Sequence, residues 1–316
     1  MIDSPPVEAV RWHAAGDVRF EEAELALPLG PGTVEVDVAY CRIRGSDVAE
    51  FRARFAIRPG REHQLSGQSP PVTLGHEFAG HVAAVGEGVT GIAPGDRVSA
   101  DACWRCGECA ACVRFPAYCV EPLAVGLHAL ERGGARAGEP LVVVGYGPIG
   151  ACTALVARAL GLDPLVVERH QDRLGRAADE GLRVLDPQGS PREVSKEVRG
   201  LTGGGAAVVV DCTGSVPALE ASLEMSRRGG RIVTAGIPKK PLPVDAGRLV
   251  LYERSLAGTL GYHTDLPRVA AMIAAGTLAP SGLITRPAPL AETPAELARL
   301  AKDSGDDVMV MIEVTA

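Results

Sequence analysis

The first third of the chain alternates. In TVEVDVAY (33–40) apolar and polar residues take turns with a period of two, the pattern of a strand with one face in a core and one in water. Residues 8–40 as a whole read as short strands. The stretch GHEFAGHVAAVGEGVTGIAPGDRVSA (75–100) is punctuated by glycine, which predicts a small β-rich domain with many turns. From about residue 121 the texture changes. LVVVG (141–145) is an apolar run without alternation, as in a strand buried on both faces, and PIGACTALVARALG (148–161) has the length and apolar spacing of a helix. LVVE (165–168), AAVVVDCTG (206–214) and GRIVTAG (230–236) read as further strands with helical segments between them. Such an order predicts a parallel sheet covered by helices on both faces. The last fifty or so residues are mixed, and a return to the first domain is open to them.

Composition narrows the class. A chain of 316 residues has room for two domains, and 46% hydrophobic residues supply a substantial core. With 38 glycines and only 4% aromatics, that core is expected to be built from Ala, Val and Leu between tight turns. No apolar run is long enough to span a membrane, and the N-terminal MIDSPPVEAVRW does not read as a signal peptide. A net charge of −7 argues against a nucleic-acid partner, which would want a basic face. Reduced cysteines and no targeting segment make the cytoplasm the expected location.

The cysteines are concentrated. CWRCGECAACVRFPAYC (103–119) holds five of the eight: Cys103, Cys106, Cys109, Cys112 and Cys119. Two residues separate each of the first four, a spacing that lets thiolates converge on one tetrahedral ion. Four thiolates close a zinc site, so the cluster reads as structural, with catalysis elsewhere. A disulfide framework is the other reading, and it suits small secreted chains.

Gly145-Tyr146-Gly147-Pro148-Ile149-Gly150 is a GxGxxG sequence between a predicted strand and a predicted helix, and Glu168 closes the next strand. In that setting the three glycines permit a tight turn, backbone approach to a pyrophosphate and close helix–strand packing. The helix N-terminus adds partial positive charge for the phosphates. Glu168 would accept hydrogen bonds from ribose hydroxyls and repel a 2′-phosphate, which favours NAD over NADP; Arg169 and Arg173 soften that preference. Three more segments offer zinc ligands: Cys41 after the alternating strand, His76-Glu77 in LGHEFAG, and Glu121 at the head of EPLAVGLHAL. A thiolate, an imidazole and a carboxylate would leave one position for water or substrate, the condition for catalytic zinc.

The ordered segments GSD (45–47), PVTLGHEFAGHVAAVGEGV (71–89), GDRV (95–98), the cysteine cluster, EPLAVGLHAL, GYGPIG, DCTGS (211–215), GGRIVTAGIP (229–238) and LAGTLGY (256–262) resemble the zinc-dependent medium-chain dehydrogenases/reductases. Within them the chain looks most like the butanediol and sorbitol dehydrogenase branch, nearly end to end. The resemblance implies an α/β fold: a doubly wound parallel Rossmann sheet over 122–264, plus a β-rich GroES-like catalytic domain from 1–121 and 265–316, with a structural zinc lobe near 103–119. It implies that Cys41, His76 and Glu77 surround a catalytic zinc, with Glu121 ligating directly or through water. Ser46 matches the hydroxyl that takes the alcohol proton, and Asp47 a carboxylate that orients His76. Cys106, Cys109, Cys112 and Cys119 match the structural ligands, leaving Cys103 as an extra thiol. The implied activity is hydride transfer between a secondary alcohol or vicinal diol, or the matching ketone, and a nicotinamide cofactor, in a homo-oligomer, dimer or tetramer. A zinc-independent reductase and a non-catalytic NAD-binding protein are the competing readings.

Three departures accompany the match. The gap from Cys112 to Cys119 is one residue short, which makes Cys103, Cys106, Cys109 and Cys112 a rival ligand set. Ala49 stands where the branch often has His, so a relay beyond Ser46 must use water or the cofactor ribose. Cys119 is followed at once by VEPLAVG, where relatives place a few dozen residues including a strand of the catalytic domain; its absence predicts an open cleft or an exposed sheet edge.

Overall fold

The computed structural model describes residues 6–24, 29–53, 68–100, 122–238, 240–262, 264–303 and 307–314, together with residues 57, 62 and 305. The chain forms two compact units, one from residues up to Cys106 with Ile284 onward, the other from Gly107 to Leu283.

The first unit holds two sheets. In the smaller, Val7–Ala14 pairs antiparallel with Asp17–Ala23 on one side and Val72–Thr73 on the other. The larger has the order Ile284–Pro289, Met309–Glu313, Val34–Ile43, Glu77–Val85, Arg97–Ser99. The alternating segment TVEVDVAY lies in the central strand Val34–Ile43. Its outer neighbour comes from the far end of the chain: Val310 stands opposite Ile43 and Glu313 opposite Tyr40. Of the C-terminal residues, those from Ile284 onward join the first unit, whereas 265–283 group with the second. Trp12, Val10, Ile43, Leu297, Val310 and Ile312 belong to one buried cluster drawn from both chain ends. Trp12 is fully buried, and its indole N–H donates to the Glu50 carbonyl at 3.1 Å, satisfying the one polar atom that such burial strands.

The second unit is a six-stranded parallel sheet in the order Ser255–Gly258, Ser226–Thr234, Ala206–Asp211, Leu141–Val144, Pro164–Val167, Arg183–Leu185. Its central strands are buried at every position, which is why they read as continuous apolar runs rather than alternating ones. Strand order reverses between Leu141–Val144 and Ala206–Asp211, so the crevice beyond their carboxyl ends is where an open α/β sheet takes its ligand. Helix Pro148–Ala159 starts at that crevice. Helix Pro191–Leu201 begins with a capping box: Ser190 Oγ accepts from the Glu193 N–H, and the Glu193 carboxylate accepts from the Ser190 N–H at 2.7 Å.

Candidate active site

At the switch point the glycine turn is built as its sequence predicts. Gly145 takes φ +90°, a conformation that favours glycine, and a Cβ there would also lie 2.8 Å from Thr213 Cγ2. A Cβ on Gly150 would lie 1.8 Å from the Gly145 carbonyl oxygen, so helix Pro148–Ala159 packs against the turn only because residue 150 has no side chain. Gly147 is the N-cap of that helix with no side-chain cap, and Pro148 follows. This leaves the first turn's backbone N–H groups to a ligand's anionic group.

Glu168 closes the second strand and is 5% exposed. Its Oε2 accepts from the Tyr146 N–H at 2.6 Å, and its Oε1 from the N–H groups of Arg169 at 2.7 Å and His170 at 2.9 Å. The carboxylate thus ties the glycine turn to the neighbouring strand end. Arg173 reaches the same turn, with Nη1 3.6 Å from where a Cβ of Gly147 would stand. Asp211 closes the other switch-point strand. It is fully buried and accepts from Thr213 N–H and Oγ1 at 3.1 Å and from Ser222 Oγ at 3.4 Å. Burial pushes its carboxyl above the usual carboxylate range, against those hydrogen bonds.

The second cluster lies in the first unit, where strand Val34–Ile43 runs into helix Gly45–Ala53. Asp47 sits in the helix's first turn, a favourable place for a carboxylate. Its Oδ2 accepts from the Arg44 N–H at 2.7 Å, and its Oδ1 lies 3.6 Å from His76 Nδ1. Ser46 Oγ is buried and has no hydrogen-bond partner among the described residues. The structure therefore places Asp47 against His76, with Ser46 next to Asp47 in the chain.

Glu77 goes elsewhere. It stands opposite Arg42 in the ladder, and its Oε2 accepts from Arg42 Nη1 at 2.9 Å. Arg44 Nη1 meets the other oxygen, Oε1. The Glu77 side chain is 4% exposed, so this is a buried carboxylate held by two guanidiniums. Cys41 precedes Arg42, and strand alternation sends its side chain to the opposite face. There it lines a mainly apolar cavity of about 340 Å³ with Val38, Leu74, Phe78 and Ile312, and Asp47 lines the same cavity. Its Sγ packs on Gly75, 2.6 Å from where a Cβ would be. Burial first, then the charge of Asp47, pushes the Cys41 thiol up to about 12. Among the described residues no three His, Cys, Asp or Glu side chains converge as a metal site. Of the three candidates Cys41, His76 and Glu77, Glu77 is engaged by the two arginines, whereas Cys41 packs on Gly75, the residue before His76, and Asp47 faces both Cys41 and His76. Cys103, Cys106, Cys109, Cys112, Cys119 and Glu121 lie outside the described residues.

Sequence reasoning missed Arg42 and Arg44. The signal was available: two arginines at positions 42 and 44 beside a half-buried strand require a buried anion, and Glu77 is the acid across the ladder.

Residues 30–144 match the alcohol dehydrogenase GroES-like domain, and residues 148–275 the zinc-binding dehydrogenase domain. The (R,R)-butanediol dehydrogenase of Neisseria gonorrhoeae is 32% identical over 326 residues, spanning 89% of this chain and 91% of that one. The chain belongs to the zinc-dependent medium-chain dehydrogenases/reductases. Sorbitol dehydrogenase of Homo sapiens is 28% identical over 88% of each chain. The crystal structure of 2R,3R-butanediol dehydrogenase from Bacillus subtilis matches with a TM-score of 0.86 at 26% identity, covering 98% of this chain and 99% of that one. As in this family, the parallel sheet is a Rossmann sheet for a nicotinamide dinucleotide, the other unit is GroES-like, and the chain is an oxidoreductase of the alcohol dehydrogenase type. None of the helices among the described residues is long and apolar enough to cross a membrane.

Proposed function

We propose that the protein exchanges a hydride between a secondary alcohol or vicinal diol, or the matching ketone, and a nicotinamide cofactor, with NAD preferred to NADP. The substrate class rests on what the similar proteins are named for: a vicinal diol in one case and a polyol in the other. The observation that carries the chemistry is the buried Ser46 hydroxyl, which has no hydrogen-bond partner among the described residues and precedes Asp47, whose Oδ1 lies 3.6 Å from His76 Nδ1. A hydroxyl there can receive the proton that an alcohol gives up. In the oxidative direction a bound nicotinamide would supply the acceptor for the hydride of the carbinol carbon, and Ser46 Oγ would take the O–H proton as the C=O bond forms. Asp47 holds the His76 ring by its Nδ1 side and is itself anchored by the Arg44 N–H. With Ala49 downstream, the relay continues through water or the cofactor ribose.

The NAD preference is supported by the negative charge of Glu168 at the end of the strand after the glycine turn, a position whose acid would repel a 2′-phosphate in this fold; Arg169 and Arg173 pull the other way. A structural zinc on Cys106, Cys109, Cys112 and Cys119 is supported by their spacing, and a homo-oligomeric, cytoplasmic protein by the family resemblance. The test is NADH formation at 340 nm with a panel of vicinal diols, polyols and simple secondary alcohols, and NADH consumption with the matching ketones. Turnover of a diol with kcat/KM at least about tenfold higher for NAD than for NADP is the expected result. No turnover in either direction, from protein that still binds NADH, would leave a nucleotide-binding protein without dehydrogenase activity.

A further inference from the structure

The second unit carries a cavity of about 410 Å³ lined from the start of helix Pro191–Leu201, from helix Val216–Met225 and from helix Ala246–Leu251. Arg254 lines it too, with a side chain only 3% exposed. Its Nη2 donates to the Ser226 carbonyl at 2.7 Å, and its guanidinium lies 4.6 Å from the centroid of the Tyr252 ring. Its Nε has no hydrogen-bond partner among the described residues. Neither a carbonyl nor a ring carries the full negative charge that a buried guanidinium needs. Among the described residues its ion-pair partner is Glu224, at 3.8 Å. That carboxylate is already taken: Arg248 holds it with Nη1 on Oε1 at 2.7 Å and Nη2 on Oε2 at 2.8 Å. Arg199 brings a third guanidinium to the same place, its Nη1 donating to the Ser226 carbonyl at 3.1 Å. One carboxylate therefore serves three arginines, and the buried one has the longest contact.

The rest of the lining says what would make up the deficit. Arg192 and Arg248 line the cavity with Arg254, as do three acids, Glu220, Glu224 and Asp245. Two of the acids are committed: Glu224 to Arg248, and Asp245 to the Arg248 N–H as the cap of helix Ala246–Leu251. Glu220 is left to accept from a hydroxyl. Three guanidiniums beside one available carboxylate suit an oxyanion that also carries an O–H. Phosphate is such a group, and planar guanidiniums bind it with paired N–H bonds. The place is separate from the dinucleotide crevice. Arg254 precedes strand Ser255–Gly258, and Ser226 begins strand Ser226–Thr234, so both stand at the amino ends of a parallel sheet whose carboxyl ends form the crevice.

We propose that this cavity is a binding site for a phosphate group, free or on a small monoester, held by Arg192, Arg248 and Arg254. The site is independent of the dehydrogenase chemistry above.

Calorimetric titration of the full chain at neutral pH tests it. Inorganic phosphate is injected against sodium chloride of equal ionic strength, with NADH present to fill the glycine turn. Phosphate binding is expected to persist with NADH bound, and to weaken at least about tenfold in Arg254→Gln and in Arg192→Glu. Arg192 is exposed, so its variant decides the matter if loss of the buried Arg254 prevents folding. Arg169→Gln, next to the glycine turn's Glu168, should leave the phosphate affinity unchanged. No heat beyond the salt control, loss of binding when NADH is added, or wild-type affinity in the cavity variants would each overturn the proposal. Methyl phosphate in a parallel titration separates the two sources of the group: tighter binding than inorganic phosphate assigns the site to a monoester, weaker binding to the free ion.

Discussion

Glu77 shows how one side chain can be read two ways. Its place after His76 offers it to a metal, while its place opposite Arg42 in a ladder commits it to an ion pair. Burial favours the ion pair, because the carboxylate and both guanidiniums have little solvent access. Glu77→Gln is therefore expected to destabilise the first unit by about 3–5 kcal/mol, the usual cost of breaking a buried pair from one side. Urea unfolding followed by tryptophan fluorescence measures it, and a loss under about 1 kcal/mol would show that the pair is not held as described. Ser46→Ala separates chemistry from structure at the neighbouring position. A drop in kcat of about 10²-fold or more with KM within a few-fold is expected if the hydroxyl carries the proton. An unchanged kcat would remove Ser46 from the relay.

Asp211 supplies a pH signature. Burial raises its carboxyl above the ordinary 3.8, so the folded state binds the proton more tightly than the unfolded chain does. The stability that this group contributes is complete below the unfolded value and is lost as pH rises through the folded one. Asp211→Asn removes that titration. The stability of the variant relative to the wild type should thus increase as pH goes from about 3 to above the raised value, as read from paired urea melts. A constant difference across that range would mean that the Thr213 and Ser222 hydrogen bonds hold the carboxylate charged.

At the scale of elements, the patterns that were easiest to read belong to the parallel sheet. Leu141–Val144, Pro164–Val167 and Ala206–Asp211 appear where continuous apolar runs place them, because a strand covered on both faces has no polar positions to obscure its ends. The strand containing TVEVDVAY was found by its alternation, yet it extends on to Ile43, past the point where alternation stops. Cys41 and Arg42 are paired residues of that strand, and this extension is what turns the Cys41 side chain from Glu77. Helix Pro191–Leu201 owes its start to local chemistry, the reciprocal bonds of Ser190 and Glu193. Ser190→Ala should cost about 1 kcal/mol of stability in the second unit, and a loss below about 0.3 kcal/mol would show that packing alone sets the helix start.

For the whole molecule, the crevice at the reversal of strand order is the feature from which function follows. Ligand binding there stabilises the folded state by mass action, about 2.7 kcal/mol at a concentration 100 times Kd. NADH should raise the melting temperature of the wild type and lose that effect in Gly150→Ala, where the new methyl group collides with the Gly145 carbonyl and opens the turn. An equal NADH shift in both proteins would place the nucleotide somewhere other than this turn.

Some of this protein was settled along the chain itself. The glycine turn with Glu168 at the next strand end, the buried parallel strands and the family resemblance depend on neighbours close in sequence, whose backbone conformation and packing follow from local residue types. Three-dimensional structure alone decided which distant residues meet. The strand Met309–Glu313 lies against Val34–Ile43 across most of the chain's length, and no local pattern names that partner. Likewise, Cys41, His76 and Glu77 look like a ligand set when read as a line of letters. Strand register keeps Cys41 beside Gly75 and Asp47, with His76 on the same Asp47, and sends Glu77 to two arginines, because a side chain's face is set by its pairing and a buried charge goes to the nearest opposite one.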